Sequence, residues 1–217
     1  LQTANVEYGS SPASNLVFLI DVSGSMMSHD KLPLLQNAMK IMVKQLRPID
    51  RVAIVVYASS TGVVLESTPA SEKSRILWAI NNLTAGGSTA GAAGIELAYK
   101  EAVKHFNAEA NNRVILATDG DFNVGVSSEE KLIELIEEKR ETGVFLSVLG
   151  FGNGNYQDRK MEQLADHGNG NYAFIDGLLE ARKVLATELG ANLHVVAKDT
   201  KFQVEFNPHR VKGYRLL

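Results

Sequence analysis

Three oxygen-bearing side chains follow the apolar run at residues 16–20 (LVFLI): Asp21, Ser23 and Ser25. Spaced by two along an extended segment, they project the same way. A second apolar run, residues 113–118 (RVILAT), ends in Asp119, and a glycine-rich loop, residues 84–89 (TAGGST), supplies the hydroxyl of Thr89. Carboxylates and hydroxyls without His or Cys make an oxygen-only set. Such a set suits a hard divalent cation, Mg²⁺ first with Mn²⁺ or Ca²⁺ as further candidates, and disfavours zinc and copper. Two carboxylates cancel the charge of Mg²⁺, and neutral hydroxyls leave it electrophilic towards one more acid. A third carboxylate on the ion would make the site net negative, so Asp121 is expected to stand back from it, alongside Gly87 and Gly120.

Other chemistries fit less well. Gly86, Gly87 and Gly91 resemble a phosphate-binding loop, but Ala92 stands where the loop's lysine belongs. Gly150, Gly152 and Gly154 lack the spacing of a dinucleotide turn. An aspartyl-phosphate phosphatase would put its nucleophile where Asp21 lies, yet it needs a second Asp two positions on, where this chain has Ser23. No lysine directly follows the later strand ends to balance a phosphoryl group, and no Gly-x-Ser-x-Gly elbow occurs. The chain reads as a binding module rather than an enzyme, the alternatives being a structural domain with an unused site and, behind it, a phosphatase-like enzyme.

The elements that must position these residues alternate. Strands are predicted at residues 16–20, 51–57, 62–66, 113–118, 144–149 and 172–175. Helices are predicted at 31–46, 71–83, 90–106, 127–142, 158–167 and 178–189. Asp30 is expected to cap the first helix, Trp78 to lie in the core or at a domain contact, and Leu178, Leu179, Val184, Leu185 and Leu189 to pack the last helix on the sheet. The five histidines are expected at the surface, and Met26 and Met27 to pack. Apolar strands alternating with amphipathic helices specify an α/β, doubly wound, Rossmann-like sheet, mostly parallel and flanked by helices. After Gly190 the pattern changes to short strand-like segments. The expected organisation is a lead-in at 1–15, the α/β domain at 16–190, and β segments at 191–217 from an adjacent, truncated β-rich domain.

Composition limits the partners. The 217 residues are 45% hydrophobic and 22% charged, as in globular chains, with a formal charge of −3 and no cysteine. The absence of a basic block excludes a phosphate-tracking surface for nucleic acid, and the absence of cysteine excludes disulfides and thiolate metal sites. No apolar run approaches the roughly 20 residues of a transmembrane helix. The polar start, without an initiator Met, reads as the beginning of a piece of a longer protein.

Asp21-x-Ser23-x-Ser25, Thr89 in a glycine-rich loop and Thr118-Asp119-Gly120 after a strand resemble the metal-ion-dependent adhesion site (MIDAS) of von Willebrand factor type A (VWA) domains. The segments DKLPLL, RVAIVVY, TAGGSTAGAAGIELAY and RVILATDGDFNVGV are similar to bacterial VWA proteins of the YfbK type. The resemblance covers residues 16 to about 189. It implies that Ser23, Ser25 and Thr89 ligate the ion directly, with Asp21 and Asp119 direct or through water. It also implies a partner protein offering an Asp or Glu carboxylate, and a place within a longer envelope-associated protein. Integrin β domains carry further acidic residues shortly after the motif, where this chain has Ser28 and His29, so the resemblance does not extend to an adjacent second metal site.

Overall fold

The computed structural model describes residues 12–87, 91–120, 129–152, 158–188, 207 and 210. The first apolar run forms β1 (Ser14–Asp21), buried along its whole length, as a strand covered by helices on both faces must be. Its side chains alternate between two layers. Leu16, Phe18 and Ile20 meet the layer holding Leu35, Met39 and Val43 of α1 (Leu32–Gln45), while Val17 and Leu19 meet Ile95, Ala98 and Tyr99 of α3 (Gly91–Lys104). The first layer also holds α2 (Lys73–Asn81) and α6 (Leu178–Arg182); the second holds α4 (Glu129–Arg140) and α5 (Asp158–His167).

With β2 (Arg51–Tyr57), β3 (Thr61–Pro69), β4 (Asn111–Thr118), β5 (Phe145–Phe151) and β6 (Tyr172–Ile175), the sheet has six strands in the order β3-β2-β1-β4-β5-β6. All neighbours are parallel except β2 and β3. The link at residues 58–60 is too short for a crossover, so it closes an antiparallel hairpin. The chain winds outward from β1 to β3, then returns to start β4 on the other side of β1. That reversal makes the carboxyl ends of β1 and β4 the place where such sheets hold ligands. The register sets Ile20 beside Ala117 and Asp21 beside Tyr57, so Asp21, Tyr57 and Thr118 finish at one edge.

Several expectations need correcting. β1 begins at Ser14, inside the segment read as a lead-in, because the Ser14 N–H donates to the Asp50 carboxylate at 2.9 Å. Asp30 does not cap α1: Lys31 occupies the cap position, and Asp30 instead accepts a hydrogen bond from the Ser28 hydroxyl. The last helix is not one regular stripe, since α6 gives way to a π-helical segment, Lys183–Glu188. Ala181, Val184 and Leu185 are buried, while Leu178 and Leu179, which lie ahead of that segment at the start of α6, are exposed. Trp78 and Met27 are also exposed, whereas Met26 is fully buried. Leu189, the β segments at 191–217 and residues 1–11 of the lead-in lie outside the described residues, apart from 207 and 210.

Candidate metal centre

The end of β1 is tied down on both sides. The Val22 N–H donates to the carbonyl of Tyr57 at 3.0 Å, extending the pairing with β2 past the strand. On the other side the Gly86 N–H donates to the Val22 carbonyl at 2.7 Å and the Gly24 N–H to the Gly87 carbonyl at 3.0 Å. These bonds bring the glycine-rich loop against the Ser23–Ser25 segment. Only glycine serves at position 87, where φ is +89° and a Cβ would stand 2.2 Å from Ser59 Oγ.

Asp21 is fully buried. Its Oδ1 accepts the Ser23 N–H at 2.8 Å, and its Oδ2 accepts the Tyr57 hydroxyl at 3.2 Å and the Thr118 hydroxyl at 3.3 Å. Thr118 Oγ1 in turn accepts the Gly120 N–H at 3.2 Å, which joins Gly120 to the same network. Burial pushes the Asp21 carboxyl above the usual aspartate range, with the negative charge of Asp119 adding to it; hydrogen bonds from Ser23 and Tyr57 act the other way. The Tyr57 hydroxyl is held well above its ordinary value by burial first and by the adjacent Asp21 charge second.

The hydroxyls of Ser23 and Ser25 lie 2.9 Å apart, Ser23 buried and Ser25 open to solvent. Beside them the Lys31 ammonium donates to Asp119 Oδ2 at 2.8 Å and to the Ser25 carbonyl at 3.0 Å. Asp119 is thereby drawn to the Ser23–Ser25 segment, and a cationic group stands where the two elements meet. Among the described residues no three His, Cys, Asp or Glu side chains cluster, so the donor set is two carboxylates with hydroxyls. That set is of the kind Mg²⁺ takes, leaving positions for water or a further ligand.

Of the residues expected at the site, Asp21, Ser23, Ser25, Asp119, Gly87 and Gly120 therefore lie around one point. Thr89 and Asp121 lie outside the described residues. The sequence reading passed over three others. Tyr57 was legible only as the end of a strand, although the strand next to β1 must deliver its last side chain near Asp21. Thr118 was legible as part of a motif but not as a hydrogen-bond partner of Asp21. Lys31, expected only to open a helix, supplies the lysine that the strand ends lack, reaching Asp119 across 88 positions of sequence.

The profile of the von Willebrand factor type A domain matches residues 15–186, and one described as "Uncharacterized protein YfbK, C-terminal" matches residues 191–217. The chain is 52% identical over 204 residues to Uncharacterized protein YfbK of Escherichia coli (strain K12), covering 94% of this chain and 36% of that protein. It thus spans about a third of that relative's length. A von Willebrand factor type A structure from Catenulispora acidiphila superposes with a TM-score of 0.70 at 21% identity, covering 84% of this chain and 43% of that one. Manganese-loaded TRAP protein of Plasmodium vivax gives 0.64 at 21%, covering 81% and 72%. An aerotolerance-related membrane protein of Bacteroides fragilis gives 0.65 at 19%, covering 82% and 100%. These structures share the fold built around the β1/β4 reversal, and the chain belongs to the von Willebrand factor type A domain family, whose members commonly serve as metal-dependent protein-interaction modules.

Proposed function

We propose that this domain binds a partner protein through a divalent cation, Mg²⁺ first, with the partner supplying an Asp or Glu carboxylate as one of the ion's ligands. Ser23 and Ser25 ligate the ion, Asp21 and Asp119 act directly or through water, and Thr89, two positions after Gly87, completes the set. The observation that carries the reading is the meeting of the paired Ser23 and Ser25 hydroxyls, 2.9 Å apart, with two buried carboxylates at the sheet's reversal point. Tyr57 and Thr118 hold Asp21 in orientation from behind. The ion would supply a positive centre that draws the partner's carboxylate, and the protein's part is to hold its donors preorganised.

No catalytic step is assigned, because Ser23 stands where phosphoryl chemistry on Asp21 would need a second aspartate. The reading includes residues 191–217 as the start of an adjacent β-rich domain and a setting at the bacterial cell envelope, motivated by the YfbK relative and by the Bacteroides membrane protein of the same fold. Among the described residues no helix is long and apolar enough to cross a membrane.

The test is calorimetric titration of the chain with Mg²⁺, followed by capture of envelope proteins on the immobilised chain in Mg²⁺ or EDTA. The wild type is expected to bind the metal and retain a partner in Mg²⁺ alone, and Asp21→Ala to do neither. Equal metal affinity in wild type and Asp21→Ala would overturn the assignment. Partner capture that ignores EDTA would overturn the metal-dependent mode.

A further inference from the structure

Lys31 sits immediately before α1, and its backbone is fixed there: its N–H donates to the Ser28 carbonyl at 3.1 Å and its carbonyl accepts the Leu35 N–H at 2.9 Å. From that fixed point the side chain crosses to the carboxyl ends of the strands. Its ammonium bridges Asp119 Oδ2 and the Ser25 carbonyl. The stem lies over Gly152, which follows β5 with φ +92°; a Cβ there would stand 2.6 Å from Lys31 Cε. Three strand ends thus frame one lysine. The pair is asymmetric in exposure, the Asp119 side chain 3% exposed and that of Lys31 23%, so the carboxylate is held within the fold and the ammonium at its rim.

We propose that Lys31 is a tethered counter-cation that competes with the divalent ion for Asp119 and thereby sets the metal affinity of the site. The proposal rests on the metal-binding reading above. A divalent ion bound at Asp119 would face the ammonium across a single carboxylate, and like charges so close repel in proportion to the inverse of their distance. The ammonium must leave for the ion to enter. It can do so because its four-carbon stem is flexible and its side chain is partly exposed, whereas Asp119 follows directly on β4 with its side chain buried. Metal binding therefore costs the hydrogen bond and ion pair of Lys31, and the site binds more weakly than its donors alone would allow. The same contact gives the Asp119 carboxylate, close enough to Asp21 to raise its pKa, a counter-charge when no metal is bound.

Titration of the chain with Mn²⁺, free ion being read by its paramagnetic resonance, tests this on wild type, Lys31→Met, Lys31→Gln and Lys31→Arg. Removing the charge in the Met and Gln variants is expected to tighten Mn²⁺ binding about tenfold, the factor that one charge-assisted hydrogen bond represents. In EDTA both should melt below wild type, because the ion pair between Lys31 and Asp119 is lost. Lys31→Arg should stay near wild type in both readouts. If wild type binds Mn²⁺ and neither neutral variant binds it more tightly, the competition is overturned while the metal site stands. If neither wild type nor any variant binds Mn²⁺, the site reading fails and this proposal with it.

Discussion

Two fully buried aspartates mark opposite ends of the sheet. Asp50 lies at the amino ends of the parallel strands, where Arg47 meets it with its backbone N–H at 2.8 Å and its guanidinium at 2.9 Å, and the Ser14 N–H adds a bond at 2.9 Å. Its charge is answered within the chain, and the answer ties β1 to the turn before β2. Asp21 lies at the carboxyl ends and is met by a backbone N–H and two hydroxyls, all neutral, with the negative Asp119 near it. Burying a charge is costly unless it is paired. The same residue type is therefore paired with a cation at one end, whereas at the other Lys31 pairs with Asp119 and Asp21 is met by neutral donors. The fold places two carboxylates and one lysine at the reversal point of the strand order.

The largest expected effect lies at the structural end. Asp50→Ala removes the buried carboxylate that the Arg47 guanidinium and the Ser14 N–H share, and about 3 kcal/mol of stability should be lost, the usual cost of removing one partner of a buried pair. Urea unfolding in Mg²⁺ and in EDTA should show the same loss in both. A loss confined to one condition would break the division between the two ends.

At the functional end, Tyr57→Phe removes only the hydroxyl that donates to Asp21 Oδ2. Metal affinity should fall about tenfold, the lower end of what groups orienting a ligand contribute, with the circular dichroism spectrum unchanged. Unaltered affinity would show that Tyr57 packs beside Asp21 without orienting it.

The smallest effect concerns pH. Burial raises the Asp21 pKa in the folded state above its unfolded value of 3.8. Between these values the native state binds more protons than the unfolded state, so this group favours folding at low pH and that contribution is lost as pH rises through the folded pKa. Asp21→Asn does not titrate. In EDTA at neutral pH the variant should melt a little above wild type, with the gap closing as pH falls towards the usual carboxylate range. A gap that widens on acidification would mean that Asp21 is better solvated than its burial indicates.

Much of the architecture was legible in the sequence because apolar periodicity survives packing. Residues 158–167 and 172–175 form the expected helix and strand, and residues 16–20 lie inside β1. What failed was phase and reach. A stripe of leucines from 178 onward announces neither the π-helical segment that follows α6 nor the solvent exposure of Leu178 and Leu179 at its start. The local pattern around Trp78 does not say that its side of α2 faces solvent. At the site, carboxylates and hydroxyls showed themselves by spacing at strand ends. Lys31 and Tyr57 act across 88 and 36 positions respectively, and only the assembled sheet brings them to Asp119 and Asp21.

Anomalous diffraction from crystals of the chain grown with Mn²⁺ tests the central claim most directly. The account predicts a peak within bonding distance of the Ser23 and Ser25 hydroxyls, the Asp21 and Asp119 carboxylates on it directly or through water, and the Lys31 ammonium moved off Asp119 Oδ2. No peak between β1 and β4, with Lys31 still bridging Asp119 and the Ser25 carbonyl under saturating Mn²⁺, would contradict it.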